Sequence, residues 1–238
     1  DMLTSAGFST FSVDLIYGNP GQSVEALEKD IDRLLSYDPP HISAYSLTIE
    51  PQTRLGKQVK LGRLKPIDED TALEHYDVVV KRLSEAGIQQ YEVSNFSRPG
   101  HEAIHNRNYW LHQNYLGFGP GAHSFWKKKS PNGAVRWHIT ESIQEYLKSG
   151  SDENIMETEG ISRRQLAEER VMLGLRTRSG ISARELDEQY NYQLSQGQKK
   201  FLKQLFEHGQ VENQGETIRL THEGRKIADT ITVDLLSK

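Results

Sequence analysis

Residues 13–23 read VDLIYGNPGQS, and this stretch decides the fold class. The mostly apolar run Phe8–Tyr17, which is rich in β-branched and aromatic residues, is typical of a buried strand. The glycines and proline of residues 18–21 end that strand in a tight loop. Ser23 then predicts the N-cap of a helix over residues 24–37.

The same alternation of strand and helix continues along the chain. We predict a second strand at His41–Ile49, a helix at Asp68–Ala86 and a third strand at Gln89–Ser94. The apolar stripe of that helix consists of Leu73, Tyr76, Val80 and Leu83. Strands that alternate with helices predict a parallel sheet of the α/β class, with the helices outside. A complete barrel needs about eight strands, so the pattern predicts only part of a barrel.

The carboxy-terminal residues follow a different pattern. They indicate three helices, two short strands and a last helix, at 162–176, 182–190, 195–207, 210–213, 217–220 and from Thr221. Three helices followed by a two-stranded wing are typical of the winged-helix fold. The sequence therefore predicts an α+β, winged-helix-like domain at this end.

Between these parts, the stretch Arg98–His138 lacks a helix–strand rhythm and is rich in Gly, Asn, His and aromatic residues. This composition suits a site better than a core. A polar segment at Gly150–Glu159 marks the next boundary. We therefore divide the chain into residues 1–95, 96–160 and 161–238.

Composition excludes several classes of function. The 238 residues carry a net charge of −4 and contain no cysteine. Disulfides, thiolate zinc sites, cysteine nucleophiles and cysteine-ligated iron–sulfur clusters are therefore excluded within this chain. No apolar run approaches the roughly 18 residues of a membrane span, and the first residues do not resemble a signal peptide. We expect a cytoplasmic protein.

Asp14 is the first candidate site residue, because a carboxylate within an apolar strand is costly to bury unless it is bonded. It either faces a ligand, as polar residues near the ends of parallel strands do, or bonds loop amides. The loop Gly18–Ser23 could hold an anion at the helix start, but it lacks the Walker and dinucleotide patterns and also fits a simple turn.

Two overlapping histidine motifs follow. His101-Glu102-Ala103-Ile104-His105 matches the zinc-peptidase pattern, although Pro99-Gly100 leaves little room for the long helix that such a site needs. The hexapeptide His105–Trp110, HNRNYW, offers an axial ligand, amide donors and flat apolar surface, the parts of a haem or porphyrin site. It also fits a polar turn anchored by buried Tyr109 and Trp110.

Two further segments allow more than one interpretation. The glycine-rich run Tyr115–Ser124 lets the backbone approach something closely, and Lys127–Lys129 fits a solvated hairpin tip. The winged-helix pattern suggests DNA binding. Its basic residues are diluted by acidic ones, however, which argues against nucleic acid as a partner and favours a packing or lid role. The basic residues are Arg184, Lys199, Lys200 and Lys203.

Taken in order, these segments resemble one known family, the radical S-adenosylmethionine proteins related to oxygen-independent coproporphyrinogen III oxidase and its haem-chaperone branch. Residues 13–23 resemble its fifth barrel strand and loop, and Ser43–Pro51 its sixth strand. The segments His105–Trp110 and Leu116–Ser124 follow, and the tail from about 161 resembles its carboxy-terminal domain. The likeness covers essentially the whole chain, and the hexapeptide is its most specific part.

The resemblance implies a fold and a set of site residues. The fold would be the remainder of a partial (β/α)6 radical-SAM barrel followed by the winged-helix-like domain. Asp14, Tyr45 and Thr48 would contact S-adenosylmethionine, and Ala122 or His123 would close that site. The hexapeptide marks the haem-chaperone branch.

In that branch, His105 would ligate haem iron, and Tyr109 and Trp110 would contact the porphyrin. A decarboxylating oxidase acting on a porphyrinogen is the alternative within the family, and a haem-acceptor protein is a possible partner.

The chain also departs from the family pattern. Strands one to four, the Cys-x-x-x-Cys-x-x-Cys loop that binds the 4Fe–4S cluster and an early glycine-rich loop have no counterpart in these residues. We therefore expect a carboxy-terminal fragment whose partner is the missing half of the barrel. Such a fragment would not perform radical chemistry alone.

Overall fold

The computed structural model describes residues 2–128, 133–149 and 156–238. The chain forms two compact units, Asp1–Ala103 and Ile104–Lys238. Within the second unit, Phe125 and Ala134 share one apolar core with Leu166 and Val171. Residues from both sides of the predicted boundary at 160 thus pack together. Most of the polar segment proposed as that boundary, residues 150–155, lies outside the described part.

The first unit contains a four-stranded sheet with two of its helices packed on one face. Its elements are α1 (Met2–Ser5), β1 (Ser12–Tyr17), α2 (Val24–Leu35), β2 (His41–Ser46), α3 (Arg54–Lys60), α4 (Glu69–Glu85), β3 (Gln89–Gln90) and β4 (Asn95–Ser97). The strand order is β1-β2-β4-β3. β1 and β2 are parallel, whereas β4 is antiparallel to both β2 and β3.

The prediction of one third strand over Gln89–Ser94 is therefore wrong. The chain reverses inside that stretch, where the Tyr91 amide donates to the Asn95 carbonyl at 3.0 Å. The reversal places β4 beside β2, and the Ala44 amide donates to the Ser94 carbonyl at 2.7 Å. The parallel arrangement predicted for the sheet consequently holds for β1 and β2 only.

The helix start predicted from the capping residue Ser23 is confirmed, because the Ser23 side chain accepts from the Ala26 amide at 3.2 Å. The helix predicted to begin at Asp68 begins one residue later, at Glu69, and Asp68 caps it by accepting from the Thr71 amide at 2.8 Å. The predicted stripe of α4 is shifted, because the buried residues are His75, Val79 and Leu83 whereas Leu73 is 39% exposed. Because the buried face includes a histidine, His75, a pattern of apolar residues alone does not identify it.

The second unit begins with a short helix and a three-stranded antiparallel sheet. These are α5 (Ile104–Trp110), β5 (His123–Lys127), β6 (Ala134–Ile139), α6 (Ile143–Ser149) and β7 (Met156–Ile161), with strand order β5-β6-β7. The stretch Arg98–His138, predicted to be irregular, thus contains a helix and most of two strands. Its many glycines and polar residues concealed them.

The rest of the unit confirms the winged-helix prediction. Its elements are α7 (Arg163–Leu175), β8 (Ile181–Ser182), α8 (Ala183–Tyr190), α9 (Gln196–Glu207), β9 (Val211–Gln214), β10 (Thr217–Leu220), α10 (His222–Lys226) and α11 (Ala228–Leu236). The short β8 adds a third strand to the wing, in the order β8-β10-β9. The predicted last helix is divided at Ile227. No helix in the described ranges is long and apolar enough to cross a lipid bilayer.

Candidate functional site

The sheet of the first unit has one apolar face and one polar face. On β1, Leu15 and Tyr17 are buried, whereas the alternate residues Ser12, Asp14 and Ile16 are exposed. The strand register places the polar residues of neighbouring strands beside them on one face, which we call the polar face: Ser12, Asp14, Ile16, His41, Ser43, Tyr45 and Asn95.

A chain of hydrogen bonds fixes His41 at one end of the polar face. Its Nδ1 lies 2.7 Å from the Ser12 hydroxyl and its Nε2 lies 2.8 Å from the Tyr91 hydroxyl, which also accepts from the Ala103 amide at 3.2 Å. Burial lowers the pKa of His41, and the nearby Asp14 only partly opposes this. His41 is therefore a neutral, fixed imidazole at neutral pH.

A buried carboxyl group that sequence reasoning missed lies in the turn between β3 and β4. Glu92 is 2% exposed and accepts hydrogen bonds from the Asn95 side chain and, at 3.2 Å, from the Ser94 amide. Burial raises the pKa of Glu92, since its hydrogen bonds do not fully offset the lost solvation. The signal was a glutamate inside an otherwise strand-like run.

The three residues that the resemblance assigns to S-adenosylmethionine do not all lie on the polar face. They are Asp14, Tyr45 and Thr48. Asp14 and Tyr45 both lie on the polar face, where Asp14 pairs with Ser43, two residues before Tyr45. Both side chains are exposed. Thr48 lies beyond β2, which ends at Ser46 rather than at Ile49 as predicted.

Ala122 and His123 belong to the second unit and form a separate group there. The Ala122 amide donates to the Gly119 carbonyl at 3.2 Å, and the Ala122 carbonyl accepts from the Ile139 amide at 3.0 Å. The backbone of Ala122 is thus engaged within the chain. His123 is exposed and stacks on His138 across the sheet, with 5.1 Å between ring centroids.

The glycine-rich run before β5 packs against the chain itself. The Gly117 amide donates to the Ser124 hydroxyl at 3.0 Å, and a Cβ atom at Gly117 would meet the His123 carbonyl oxygen at 2.3 Å. The close backbone approach predicted for this segment is real. Its partner at Gly117 is β5.

The hexapeptide HNRNYW forms most of α5, so its side chains are presented by a helix. His105 is exposed, and its ring meets the ring of Tyr109 edge-on, with 4.9 Å between centroids. Neither ring nitrogen of His105 has a hydrogen bond to another described residue. Tyr109 is 38% exposed and Trp110 half-buried, so the alternative of a turn anchored by two buried rings is wrong.

The zinc-peptidase alternative needs both histidines on one helix, and the structure does not place them so. α5 begins at Ile104, so His101 lies outside it, and the His101 Nδ1 lies 3.0 Å from the Thr10 hydroxyl. Within residues 2–128, 133–149 and 156–238, no group of three histidine or acidic side chains could hold a metal ion.

A row of aromatic rings leads from α5 to the core of the second unit. Tyr109 meets Tyr115 at 4.5 Å, Tyr115 stacks on Phe125 at 6.1 Å, and His112 stacks on Phe125 at 4.6 Å between centroids. Sequence reasoning missed His112, which is 4% exposed. Burial lowers the pKa of His112 despite its hydrogen bond to Glu169.

These residues fit some cofactors of the resembled family and not others. None of the 238 residues is a cysteine, so the chain offers no thiolate to an iron–sulfur cluster. The exposed His105 beside two aromatic side chains fits a haem iron ligand with flat apolar surface next to it. The exposed Asp14 carboxylate fits hydroxyl or amino groups of a small molecule.

Comparison with known proteins identifies relatives over almost the whole chain. The HemN C-terminal domain family matches residues 161–227. The heme chaperone HemW of Bacillus subtilis is 33% identical over 94% of this chain and 58% of its own length. HemW of Mycobacterium tuberculosis strain H37Rv is 32% identical over 97% of this chain and 56% of its own length.

A mitochondrial relative has a similar degree of likeness. The radical S-adenosyl methionine domain-containing protein 1 of Bos taurus is 35% identical over 95% of this chain and 53% of its own length. The chain thus spans somewhat more than half of the relatives that it matches.

A solved structure shares the fold. Coproporphyrinogen III oxidase (HemN) from Escherichia coli, a radical SAM enzyme, superposes with a TM-score of 0.76 at 18% identity, over 98% of this chain and 56% of that one. The predicted α/β fold, part of a radical-SAM barrel followed by a winged-helix-like domain, is confirmed. The chain therefore belongs to the radical S-adenosylmethionine family that contains HemN and the HemW heme chaperones.

Proposed function

We propose that this chain is the haem-presenting part of a protein of the heme-chaperone type, with His105 as an axial ligand of the haem iron. One observation carries the proposal. The His105 ring is exposed on α5, rests edge-on against Tyr109 and has neither nitrogen bonded to another described residue. Relatives that are 32% and 33% identical over most of the chain are named heme chaperones.

The chain's own groups act on haem as cargo. A ring nitrogen of His105 would donate its lone pair to the haem iron. Tyr109, one helical turn further along α5, supports that ring, and Tyr109 and Trp110 offer apolar surface to the porphyrin. A surface site of this kind suits a protein that transfers haem, because an acceptor protein can reach it. We place this exchange in the cytoplasm.

We further propose that Asp14, Tyr45 and Thr48 contact S-adenosylmethionine. That Ala122 or His123 contacts it as well stays a prediction from the family resemblance. The Asp14 carboxylate would accept hydrogen bonds from hydroxyl or amino groups of that ligand. Ala122 would take part through its side chain or the second lone pair of its carbonyl, since its amide is already bonded. Any cysteine ligands of a 4Fe–4S cluster lie outside these 238 residues.

A haem titration followed by Soret absorbance tests the haem proposal. We expect one haem to bind per chain, and we expect His105→Ala to weaken binding at least about tenfold, the loss of roughly 1.4 kcal/mol. His208→Ala is the matched control, because His208 is another exposed histidine of the second unit. Equal haem affinity of the His105→Ala and wild-type proteins would contradict the proposal.

The fold shared with coproporphyrinogen III oxidase favours a second candidate, a decarboxylase that converts porphyrinogen propionates to vinyl groups. The two candidates differ in turnover. Carbon dioxide release from coproporphyrinogen III, by cluster-loaded protein that contains this chain, would support the decarboxylase. Stoichiometric haem binding without turnover would support the chaperone.

A further inference from the structure

We propose that the second unit holds a site for a small molecule with two or more carboxylate or phosphate groups, in a groove where α7, α8 and α9 meet the end of β5. Two adjoining cavities of about 530 and 190 Å³ form this groove and share Arg163 and Tyr190. Five basic side chains line it, and we call it the basic groove: Lys127, Lys128, Arg163, Arg164 and Lys238.

The charge of the groove is the opposite of the charge of the chain. The whole sequence has 33 acidic and 29 basic residues, yet no aspartate or glutamate is among the described residues that line either cavity. Of these five, Arg164 is the one with an ion pair to an acidic side chain among the described residues, Glu168 at 2.9 Å. Lys127 instead donates to the Tyr190 hydroxyl at 3.3 Å. The groove therefore has positive charge that these neighbours do not neutralise.

The position of the two arginines is unfavourable for the helix that bears them. Arg163 and Arg164 are the first two residues of α7, whose first turn has no acidic residue. The helix dipole disfavours cations at this end of a helix. Ser162 and Gln165 already form a capping box, so helix capping does not require the arginines. Residues that destabilise their own helix without another structural role are typical of functional positions. A bound anion would offset the unfavourable interaction of the two arginines with the helix dipole.

The environment of Lys127 supports the same conclusion. Burial and the nearby Arg170 lower the pKa of Lys127, and Glu185 opposes them only in part. A bound anion would favour the charged form of this lysine. Anion binding and protonation of Lys127 are therefore expected to strengthen each other.

The size and lining of the groove define the ligand class. The larger cavity lies within the range of about 300–1,000 Å³ that small-molecule sites occupy. The guanidinium of Arg163 can bind a carboxylate or phosphate through two parallel hydrogen bonds. Side chains of Asn191, Gln193 and Ser195 add neutral polar groups. This inference does not depend on haem binding at His105.

Isothermal titration calorimetry at low ionic strength, with sodium pyrophosphate and with sodium citrate as probes, tests the proposal. We expect saturable binding of at least one probe, one per chain, that weakens at least about tenfold in Arg163→Gln and in Lys128→Gln. Arg33→Gln is the control, because Arg33 is an exposed arginine of the first unit. Arg163→Gln should fold, since it removes a cation from the positive end of α7.

The two probes also separate the possible ligand sources. Tighter binding of pyrophosphate would identify a phosphate compound, and tighter binding of citrate a polycarboxylate. Saturable binding by neither probe, or equal binding by wild type and Arg163→Gln, would overturn the proposal.

Discussion

The Nε2 atom of His112 lies 3.0 Å from the Oε2 atom of Glu169, and this contact joins the loop after α5 to α7. The same carboxylate oxygen accepts from Arg136 on β6 at 2.9 Å. Hydrogen bonds from His112 and Arg136 hold the pKa of Glu169 below its usual range although burial alone would raise it. One carboxylate thus ties a helix, a strand and the loop after α5 together.

We expect Glu169→Ala to lower the free energy of unfolding by about 1–3 kcal/mol, because it leaves the buried Nε2 of His112 without a partner. Chemical denaturation measures this change. Glu168→Ala is the control, since Glu168 pairs with the exposed Arg164 one turn away and should cost less than about 0.5 kcal/mol. Equal losses in the two variants would show that the His112 contact adds no stability.

The lowered pKa of His112 predicts a pH dependence of stability. A histidine whose pKa is lower in the folded than in the unfolded state favours folding above the unfolded pKa of about 6.5, and this contribution is lost as the pH falls. We expect wild type to lose stability relative to His112→Gln between about pH 7 and pH 5. Urea denaturation of both proteins over that range gives the difference.

The quantity to compare is the difference in stability between wild type and His112→Gln, because other groups titrate as well. Burial also lowers the pKa of His41, whereas it raises the pKa of Glu92, and this gives the opposite dependence of stability on pH. The two variants share these groups, so their contributions cancel. A difference that stays constant with pH would contradict the assignment to His112.

The sequence predicts those parts of the fold that have a local signal. Strand, tight loop and capped helix follow one another in residues 13–23, and the cap at Ser23 is confirmed. The winged-helix domain also has a local pattern for each of its main elements. The direction of β4 has none, because a hydrogen bond between Tyr91 and Asn95 reverses the chain inside a run that reads as one strand.

The sites that the sequence could not predict depend on distant residues. His112 and Glu169 are 57 positions apart, and neither belongs to a motif. The basic groove combines Lys127 and Lys128 at the end of β5 with Arg163 and Arg164 at the start of α7. A count of charges along the winged-helix segment gives near balance and cannot show that these four cations line one groove.

Tyr109 should act on haem binding through His105. We expect Tyr109→Ala to weaken haem affinity by a few-fold, because the edge-on contact between the two rings restricts the His105 side chain. Tyr109→Phe keeps the ring and should retain wild-type affinity. Soret titrations of both variants, with circular dichroism to confirm folding, measure this. Loss of affinity in Tyr109→Phe would assign the effect to the hydroxyl group instead.

Gly117→Ala tests the packing of the glycine-rich run on β5. The added Cβ would lie 2.3 Å from the His123 carbonyl oxygen, so the run or the strand must move. We expect the free energy of unfolding to fall by about 1–3 kcal/mol, as for overpacking at other tightly packed sites. Gly160→Ala on β7 is the control, because a Cβ there meets nothing within 4 Å. Similar thermal midpoints for the two variants would contradict the packing argument.

Glu92 should stabilise the folded protein more when its carboxyl group is protonated than when it is ionised. Its pKa is raised by burial, so its favourable contribution is present below the unfolded pKa of about 4.3 and is lost as the pH rises through the folded value. In Glu92→Gln, the amide can accept from the Ser94 amide and donate to the Asn95 Oδ1, which has no partner among the described residues.

We therefore expect Glu92→Gln to gain stability over wild type as the pH rises from about 4 to 8, by at most about 1.4 kcal/mol per pH unit. Urea denaturation along this pH series measures the gain. Glu74→Gln on the exposed side of α4 is the control and should follow wild type closely. If Glu92→Gln instead became the less stable protein at high pH, the ionised carboxylate and its bonds to Ser94 and Asn95 would be what holds the turn between β3 and β4.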